Sequence, residues 1–157
     1  MTRILFVCMG NICRSPTAEA VFRGKVQQLQ LESHIQCDSA GTTGHHAGEA
    51  PDHRAQQVAG ARGYPMADLR ARQVDDTDFE RFDLILAMDH RNLAELRRRA
   101  SRQYQHKLKL LLDYSDSTNQ EVPDPYYGGR DGFEQVLDLV ENACDGLLQS
   151  LREQLPP

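Results

Sequence analysis

The apolar and polar positions along the chain predict strands that alternate with helices. Short apolar runs, which are typical of buried strands, cover residues 3–8, 35–40, 83–88 and 107–112. Apolar residues recur at helical spacing over 17–31, about 52–63, about 90–102 and about 132–153. This order indicates a parallel sheet covered on both faces. We therefore predict an α/β fold: a three-layer, doubly wound sandwich with a four-stranded parallel sheet and helices on both faces.

Length and composition narrow the class of protein. The 157 residues fit one domain, 1–157, and the 39% hydrophobic content is enough for a proper core. No apolar run approaches the ~20 residues that a transmembrane helix needs, so we expect no membrane association. The net charge of -5 argues against nucleic acid as a partner. We expect a monomer.

The cysteines and histidines do not form a metal-binding pattern. The four cysteines, at positions 8, 13, 37 and 144, lack the spacing of metal ligands. His45 and His46 have no accompanying cysteine or carboxylate motif. Cys37 and Cys144 fall on apolar positions and are predicted in the core. We therefore predict neither a metal nor another cofactor.

The segment from Cys8 to Pro16 is the richest in chemistry. Cys8 ends the first predicted strand, Arg14 follows six residues later, and Ser15-Pro16 opens a helical pattern. Ser15 is a favourable N-cap and Pro16 a favourable first helical residue. The loop amides and the positive end of the helix then form a cradle for a tetrahedral oxyanion, with a thiol at its floor.

Each residue type in this segment suits that chemistry. A nearby guanidinium and a helix N-terminus favour the reactive thiolate form of Cys8, and Arg14 offers a planar fork of donors to a phosphate. Ser15 can donate its hydroxyl to the sulfur. Gly10 permits close backbone approach, and Asn11 tolerates a left-handed conformation. Taken alone, Cys8 could instead be a buried structural cysteine.

The chain resembles the low-molecular-weight protein tyrosine phosphatases. The resemblance rests on the run Val7 to Pro16 and on further blocks in the family's order. These are Asp38 to Thr42, Asp52 to Ala55, Ala71 to Gln73, Phe82 to Ile85, Met88-Asp89, Asn92-Leu93 and Pro123 to Gly128. The resemblance implies that Cys8 is the nucleophile and that Arg14 is catalytic. It implies phosphate binding by Met9, Gly10, Asn11, Ile12, Cys13 and Ser15.

A second candidate group lies near position 124. Asp124 stands between Pro123 and Pro125, which restrict the backbone on both sides and hold the carboxyl in place. Such a carboxyl could protonate a leaving phenolate, although it could equally be an ordinary turn aspartate. The resemblance favours the general acid. It also implies that Tyr126 and Tyr127 flank the substrate ring and are targets of a tyrosine kinase.

The resemblance assigns supporting roles to three further residues. Cys13 would form a reversible disulfide with Cys8 under oxidation, or else be a small loop residue without a redox role. Ser39 would hydrogen-bond Asn11 and lock the loop, or else be an exposed residue at a strand end. Asp89 is predicted to cap the helix that starts near His90, outside the catalytic set.

The predicted function is hydrolysis of phosphotyrosine, and of small aryl phosphates, through a cysteinyl-phosphate intermediate. One alternative is a protein arginine phosphatase, although those enzymes carry Thr where this chain has Ile12. Another is a phosphotyrosine-binding module without turnover. A thioredoxin-linked arsenate reductase would need further cysteines between Cys37 and Cys144, where none occurs.

The sequence also suggests a cellular location and partners, and it differs from the family at one position of the site. A thiol enzyme suits the reducing cytoplasm, and the expected partners are phosphotyrosine proteins, with a tyrosine kinase as a further candidate. The family often has Trp at what corresponds to His45, whereas this chain contains no Trp. One wall of the substrate slot is therefore predicted to be smaller or more polar.

Overall fold

The computed structural model describes residues 1–155 and contains a four-stranded, wholly parallel sheet. The strands are β1 (Thr2–Cys8), β2 (Ile35–Gly41), β3 (Leu84–Ala87) and β4 (Leu108–Leu110), in the spatial order β2-β1-β3-β4. The helices are α1 (Arg14–Gln28), α2 (His53–Ala61), α3 (Asp76–Arg81), α4 (His90–Arg99) and α5 (Arg130–Glu153). Short 3-10 helices cover Arg102–Lys107 and Leu111–Tyr114. The predicted three-layer, doubly wound sandwich is confirmed.

Helices cover both faces of the sheet because β1 is apolar on both sides. Ile4, Phe6 and Cys8 point into the core that α1, α2 and α5 close, and Phe6 meets Phe22 edge-on. Leu5 and Val7 point into the second core, beneath α3 and α4. Alternate residues of a strand face opposite sides. The position of Cys8 at the end of this pattern therefore directs its side chain toward α1.

The chain order places the end of β1 at a topological switch point. The connection from β1 leads to β2 on one side, and the later strands β3 and β4 lie on the other. Ligands in open α/β sheets bind beyond the carboxyl ends of the strands at such a point. The end of β1 is therefore the place in this fold where a site is expected.

The structure differs from the predicted elements at several places. The six-residue helix α3 was not predicted, because one and a half turns are too short to show a helical period. Its signal is a capping box, in which Asp75 and Asp78 each accept a hydrogen bond from the backbone at the other position. Strand β4 has three residues where six were predicted, because Leu111 already starts a 3-10 turn.

Candidate active site

A cavity of about 210 Å³ lies at the carboxyl end of β1. Its floor and one side are formed by the segment that links β1 to α1, residues 8–15, which we call the 8–15 loop. The segments 42–51 and 123–128 close the remaining sides. The second of these, called the 123–128 loop, carries Asp124. Two long connections of the chain therefore border the cavity.

Cys8 lies at the bottom of this cavity with 3% of its surface exposed. The backbone N–H of Asn11 donates to its sulfur at 3.3 Å. The Ser15 hydroxyl lies 3.0 Å from the same sulfur. Since Ser15 Oγ accepts a hydrogen bond from Asn11 Nδ2 at 2.8 Å, its own hydrogen can be donated to a thiolate in preference to its more distant acceptor, the Ala40 carbonyl at 3.4 Å. The sulfur thus faces two donors that favour a negative charge on it.

Ser15 is not the N-cap that the sequence predicted. Helix α1 begins one residue earlier, at Arg14, and its N-cap is Cys13, whose side chain makes no capping hydrogen bond. The prediction was wrong because the hydroxyl of Ser15 points to the Cys8 sulfur rather than to the backbone of its own helix. Pro16 is consequently the third helical residue, where its missing N–H still costs no helical hydrogen bond.

Asn11 holds the 8–15 loop in its shape. Its φ of 58° lies in the left-handed region that the sequence allowed for this residue type. The side-chain amide donates to Ser15 and, at 3.0 Å, to Ser39 Oγ. The amide oxygen accepts the backbone N–H of Arg72 at 2.9 Å. One buried side chain therefore joins the loop to β2 and to the segment after α2.

The loop also packs closely against the end of β2. The backbone N–H groups of Thr42 and Thr43 donate to the carbonyls of Cys8 and Met9 at 2.9 and 3.0 Å. A Cβ atom at Gly41 would lie only 2.6 Å from the Met9 carbonyl oxygen. Only glycine allows this approach, so Gly41 is part of what fixes the loop backbone.

Arg14 is buried, with 4% of its side chain exposed. Its Nη1 donates to Asp89 Oδ2 at 2.7 Å and to the Val122 carbonyl at 3.0 Å. Burial lowers the pKa of Arg14, but the neighbouring Cys8 and Asp89 outweigh it, so its pKa lies above the ordinary value. The guanidinium is therefore charged and held by one nitrogen. Its Nη2 lies 3.7 Å from Asp124 Oδ2, on the side of the cavity.

Asp124 lines the same cavity and is considerably more exposed than Arg14. Its side chain is 41% exposed, and its Oδ1 accepts the backbone N–H of Tyr126 at 3.0 Å. Tyr126 and Tyr127 also line the cavity, with their rings edge-on and their centroids 5.0 Å apart. Tyr126 is 38% exposed and Tyr127 is 95% exposed, so Tyr126 is the more embedded wall.

Two histidines form one wall of the cavity, and His45 is the one that stands where the family often has Trp. His45 and His46 line the cavity, and the His46 ring packs near Tyr126, with the centroids 6.5 Å apart. His46 Nδ1 is paired with the Glu49 carboxylate. This wall is polar, in agreement with the expectation for position 45.

Cys13 occupies the same loop as Cys8 and, like the other three cysteines, is a free thiol. Burial, reinforced by the charges of Asp52, Cys8 and Asp124, raises the pKa of Cys13 to about 12. The Cys13 thiol is therefore neutral at physiological pH. Cys144 is fully buried as predicted, whereas Cys37 is only partly buried, because it lies at the outer strand β2.

Two acidic residues contact this network without having been included among the predicted site residues. Asp89 caps α4, as predicted, by accepting the Asn92 backbone N–H at 2.7 Å with one oxygen, and it binds Arg14 with the other. Glu19 accepts the Ser39 hydroxyl at 2.6 Å and is 7% exposed. The sequence signal for Asp89 was its place in the family blocks. Glu19 carried no signal, because its partner Ser39 lies on another element.

The buried Glu19 carboxyl should make stability depend on pH. Burial is the main cause that raises its pKa from 4.5 to about 7; Asp38 and Asp68 add to this, while the Ser39 hydrogen bond and Arg23 oppose it. Between these values the folded protein retains a proton that the unfolded chain loses. The free energy of unfolding should therefore fall as pH rises from 4.5 to 7.

The variant Glu19→Gln tests this pH dependence, because its amide oxygen can still accept the Ser39 hydroxyl. In wild type, the free energy of unfolding should fall between pH 4.5 and 7 by on the order of 3 kcal/mol, the value that corresponds to this change in pKa. The variant should not show this fall. Urea unfolding at pH 4 to 8 measures it, with the exposed Glu80→Gln as the matched control. If the free energy of unfolding changed with pH equally in wild type and Glu19→Gln, Glu19 would not be the source of the pH dependence.

Within residues 1–155, no group of three His, Cys, Asp or Glu side chains is arranged to hold a metal ion. Over the same residues, no helix has both the length and the apolar character needed to cross a bilayer.

The whole chain is similar to one family of known proteins. Residues 3–156 match the family model described as "Low molecular weight phosphotyrosine protein phosphatase". The low molecular weight protein-tyrosine-phosphatase of Streptomyces coelicolor is 48% identical, over 98% of this chain and 95% of that protein. The human low molecular weight phosphotyrosine protein phosphatase is 40% identical, over 93% of both chains.

A solved structure supports the same relationship at the level of the fold. The crystal structure of a protein tyrosine phosphatase from Entamoeba histolytica, with Hepes in its active site, superimposes with a TM-score of 0.95. It is 44% identical and covers 98% of this chain and 99% of that one. Similarity in sequence and in backbone therefore extends over the same nearly complete length.

Proposed function

The chain belongs to the low molecular weight phosphotyrosine protein phosphatases, and on that premise we propose that Cys8, Arg14 and Asp124 carry out its reaction. The chain is a protein-tyrosine-phosphatase, a cysteine-dependent phosphoric monoester hydrolase. The observation that carries the residue assignment is the convergence of a buried sulfur, a buried guanidinium and a carboxyl on one cavity.

In the first step, the Cys8 sulfur attacks phosphorus in line with the departing phenol oxygen. An S–P bond forms, the P–O bond to the phenol breaks, and the electron pair leaves with that oxygen. Two donors stabilise the sulfur as thiolate, the Asn11 N–H and the Ser15 hydroxyl. The N–H groups of Arg14 that Asp89 and Val122 do not occupy hold the phosphoryl oxygens, together with the loop amides of Met9, Gly10, Ile12 and Cys13.

Proton transfer completes both steps. Protonated Asp124 gives its proton to the phenol oxygen as the P–O bond breaks. The resulting carboxylate then takes a proton from a water molecule, which attacks the cysteinyl-phosphate and releases inorganic phosphate and the Cys8 thiolate. The carboxyl of Asp124 lines the same cavity as Cys8, which suits a group that acts on the leaving oxygen and then on water.

Phosphotyrosine fits the cavity better than the shorter or more polar phosphorylated side chains. The sulfur is buried at the floor, and Ile12 and Tyr126 offer apolar walls to a phenyl ring. Phosphoserine would be too short to bring its phosphorus to the sulfur. Phosphoarginine would place a polar guanidinium against Ile12, at the position where arginine phosphatases carry Thr.

A matched set of peptides that differ only in the phosphorylated residue tests this selectivity. We expect kcat/KM for the phosphotyrosine peptide to exceed that for phosphoserine by roughly 10²-fold or more, because the apolar slot is filled only by the ring. The kcat/KM for the phosphoarginine peptide should be lower than that for the phosphotyrosine peptide. The Ile12→Thr substitution should reduce the difference between these two values. Faster turnover of phosphoarginine than of phosphotyrosine would favour the arginine phosphatase instead.

The proposed function includes a protective disulfide. When peroxide oxidises the Cys8 thiolate to a sulfenic acid, the Cys13 thiol can attack the Cys8 sulfur: the S–O bond breaks, the Cys8–Cys13 disulfide forms, and the oxygen leaves as water with the proton of the Cys13 thiol. Because burial raises the pKa of Cys13, its own thiol resists direct oxidation by peroxide. A thiol reductant then restores both cysteines.

Cys13→Ser should keep near-normal turnover but lose this protection. After peroxide treatment and then dithiothreitol, we expect wild type and the control Cys37→Ser to recover activity. Cys13→Ser should stay inactive, because its Cys8 proceeds to the sulfinic acid. Full recovery of Cys13→Ser would show that Cys13 has no resolving role.

We extend the proposal to location and partners. A reactive thiol is maintained in a reducing compartment, which favours the cytoplasm. The partners would be phosphotyrosine proteins, and the 95% exposure of Tyr127 makes it accessible to a tyrosine kinase. We propose a monomer whose single domain spans 1–157.

A further inference from the structure

The position of Asp124 is poorly determined by its own contacts. Its Oδ1 binds the Tyr126 N–H within the 123–128 loop, and its Oδ2 lies 3.7 Å from Arg14, beyond a strong hydrogen bond. The side chain is 41% exposed. A general acid must nevertheless be held in a defined place to protonate a leaving group efficiently. Other residues must therefore fix this loop.

Arg54, near the start of α2, makes the contacts that fix it. Its Nη2 donates to the Tyr126 carbonyl at 2.9 Å, and its Nη1 donates to the Gly128 carbonyl at 3.3 Å. The guanidinium carbon lies 5.6 Å from the centroid of the Tyr126 ring and 4.6 Å from that of Phe133. The Arg54 side chain thus contacts two carbonyls and one ring of the 123–128 loop, and the Phe133 ring of α5.

Asp52 orients the Arg54 side chain and connects it to the 8–15 loop. Its carboxylate accepts Arg54 Nε at 3.1 Å and Nη2 at 3.0 Å, while capping α2 through the Arg54 N–H at 2.8 Å. The backbone N–H of Asp52 donates to the Ile12 carbonyl at 2.8 Å. The connection therefore runs from the 8–15 loop through Asp52 and Arg54 to the 123–128 loop.

We propose that Arg54 is a positioning residue that sets the distance of the Asp124 carboxyl from the leaving oxygen. This inference rests on the proposed function, in which Asp124 is the proton donor. The planar fork of Arg54 can bind Asp52 and two carbonyls together, which a single ammonium group cannot do. Without the fork, the 123–128 loop keeps Asp124 but no longer holds it at a fixed distance from the nucleophile.

The experiment measures kcat/KM for two aryl phosphates that differ in their need for a proton. Phenyl phosphate releases a phenolate whose conjugate acid has a pKa near ~10, so it depends on the acid. 2,4-Dinitrophenyl phosphate releases a stable phenolate without a proton. Arg54→Met should lower kcat/KM for phenyl phosphate by roughly 10- to 100-fold, because small displacements of a catalytic group are costly. The dinitrophenyl ester should be almost unaffected.

Two further variants separate positioning from charge and from general damage. Arg54→Lys keeps the positive charge without the fork and should show most of the same loss on phenyl phosphate. Arg54→Met added to Asp124→Asn should cause little additional loss on phenyl phosphate, since the acid is already absent. Arg98→Met is the matched control, because Arg98 is exposed and pairs with Glu95 away from the cavity.

Each outcome bears on the inference. Equal losses on both esters, no loss on phenyl phosphate, or full recovery in Arg54→Lys would each overturn the positioning role. These results would leave Asp124 as the acid, provided that Asp124→Asn alone shows the leaving-group dependence. If Asp124→Asn shows no such dependence, the proton-donor assignment fails, and the role of Arg54 fails with it.

Discussion

Cys8→Ser is expected to hydrolyse p-nitrophenyl phosphate slower than wild type by on the order of 10⁵–10⁶-fold, the scale of loss when a hydrolase loses its nucleophile. A hydroxyl in place of the thiol is far less nucleophilic at neutral pH. The rest of the cradle, including Asn11 and Arg14, keeps its partners. Steady-state assays in EDTA, to remove metal contaminants, measure the loss.

Phosphate binding by the same variant distinguishes loss of chemistry from loss of the site. Because a neutral hydroxyl replaces a thiolate next to a dianion, Cys8→Ser should bind inorganic phosphate at least as tightly as wild type in calorimetric titration. Cys37→Ser, altered at a free cysteine of the outer strand, should retain full activity. A wild type that binds phosphate but does not hydrolyse the ester would favour a binding module instead.

Asp124→Ala is expected to lower kcat/KM for p-nitrophenyl phosphate by roughly 10²–10⁴-fold, the usual contribution of a general acid. The substitution removes only the group that donates a proton to the leaving oxygen. The rest of the site is unchanged, because the 8–15 loop keeps its hydrogen bond to Ser39 and Arg14 keeps its hydrogen bond to Asp89. The loss should be larger for phenyl phosphate, whose leaving group is more basic.

The matched control for Asp124→Ala is Asp116→Ala, an exposed aspartate of the same long connection between β4 and α5. It should behave as wild type in the same assay. An Asp124→Ala variant within about threefold of wild type on both esters would contradict the acid role. The turn aspartate considered for this position would then be the better interpretation.

The centre of the site could be predicted because its parts are adjacent in sequence. The apolar run before Cys8, the spacing to Arg14 and the helix that follows form one continuous segment, residues 2–28. A parallel α/β sheet brings the end of such a strand to the ligand side of the fold. The left-handed Asn11 and the hydrogen bond between Cys8 and Ser15 are likewise properties of one short loop.

The remaining contacts depend on packing between distant segments. Arg14 and Asp89 are 75 residues apart, and Arg54 and the Tyr126 carbonyl are 72 apart. Nothing in local spacing indicates which carboxylate of a chain will meet a buried arginine. The error at Ser15 has a local cause instead: as a cap its hydroxyl would serve its own helix, but Cys8 and Asn11 of the same loop give it better partners.

Asp89 shows how a correct local prediction can be incomplete. The sequence assigned it to the start of α4, where one oxygen indeed accepts the Asn92 N–H. The second oxygen binds Arg14. This contact depends on the order of strands in the sheet, because it requires β3 to lie beside β1. One carboxylate therefore both starts a helix and fixes Arg14.

The measurement that tests the central claim most directly is detection of phosphate on Cys8 during turnover. Wild type is mixed with p-nitrophenyl phosphate, quenched with acid within milliseconds, digested and examined by mass spectrometry. The peptide containing Cys8 should carry one phosphoryl group in wild type, and the corresponding peptide of Cys8→Ser should carry none. Turnover by wild type with no phosphorylated Cys8 peptide, or with the phosphoryl group on another residue, would contradict the account.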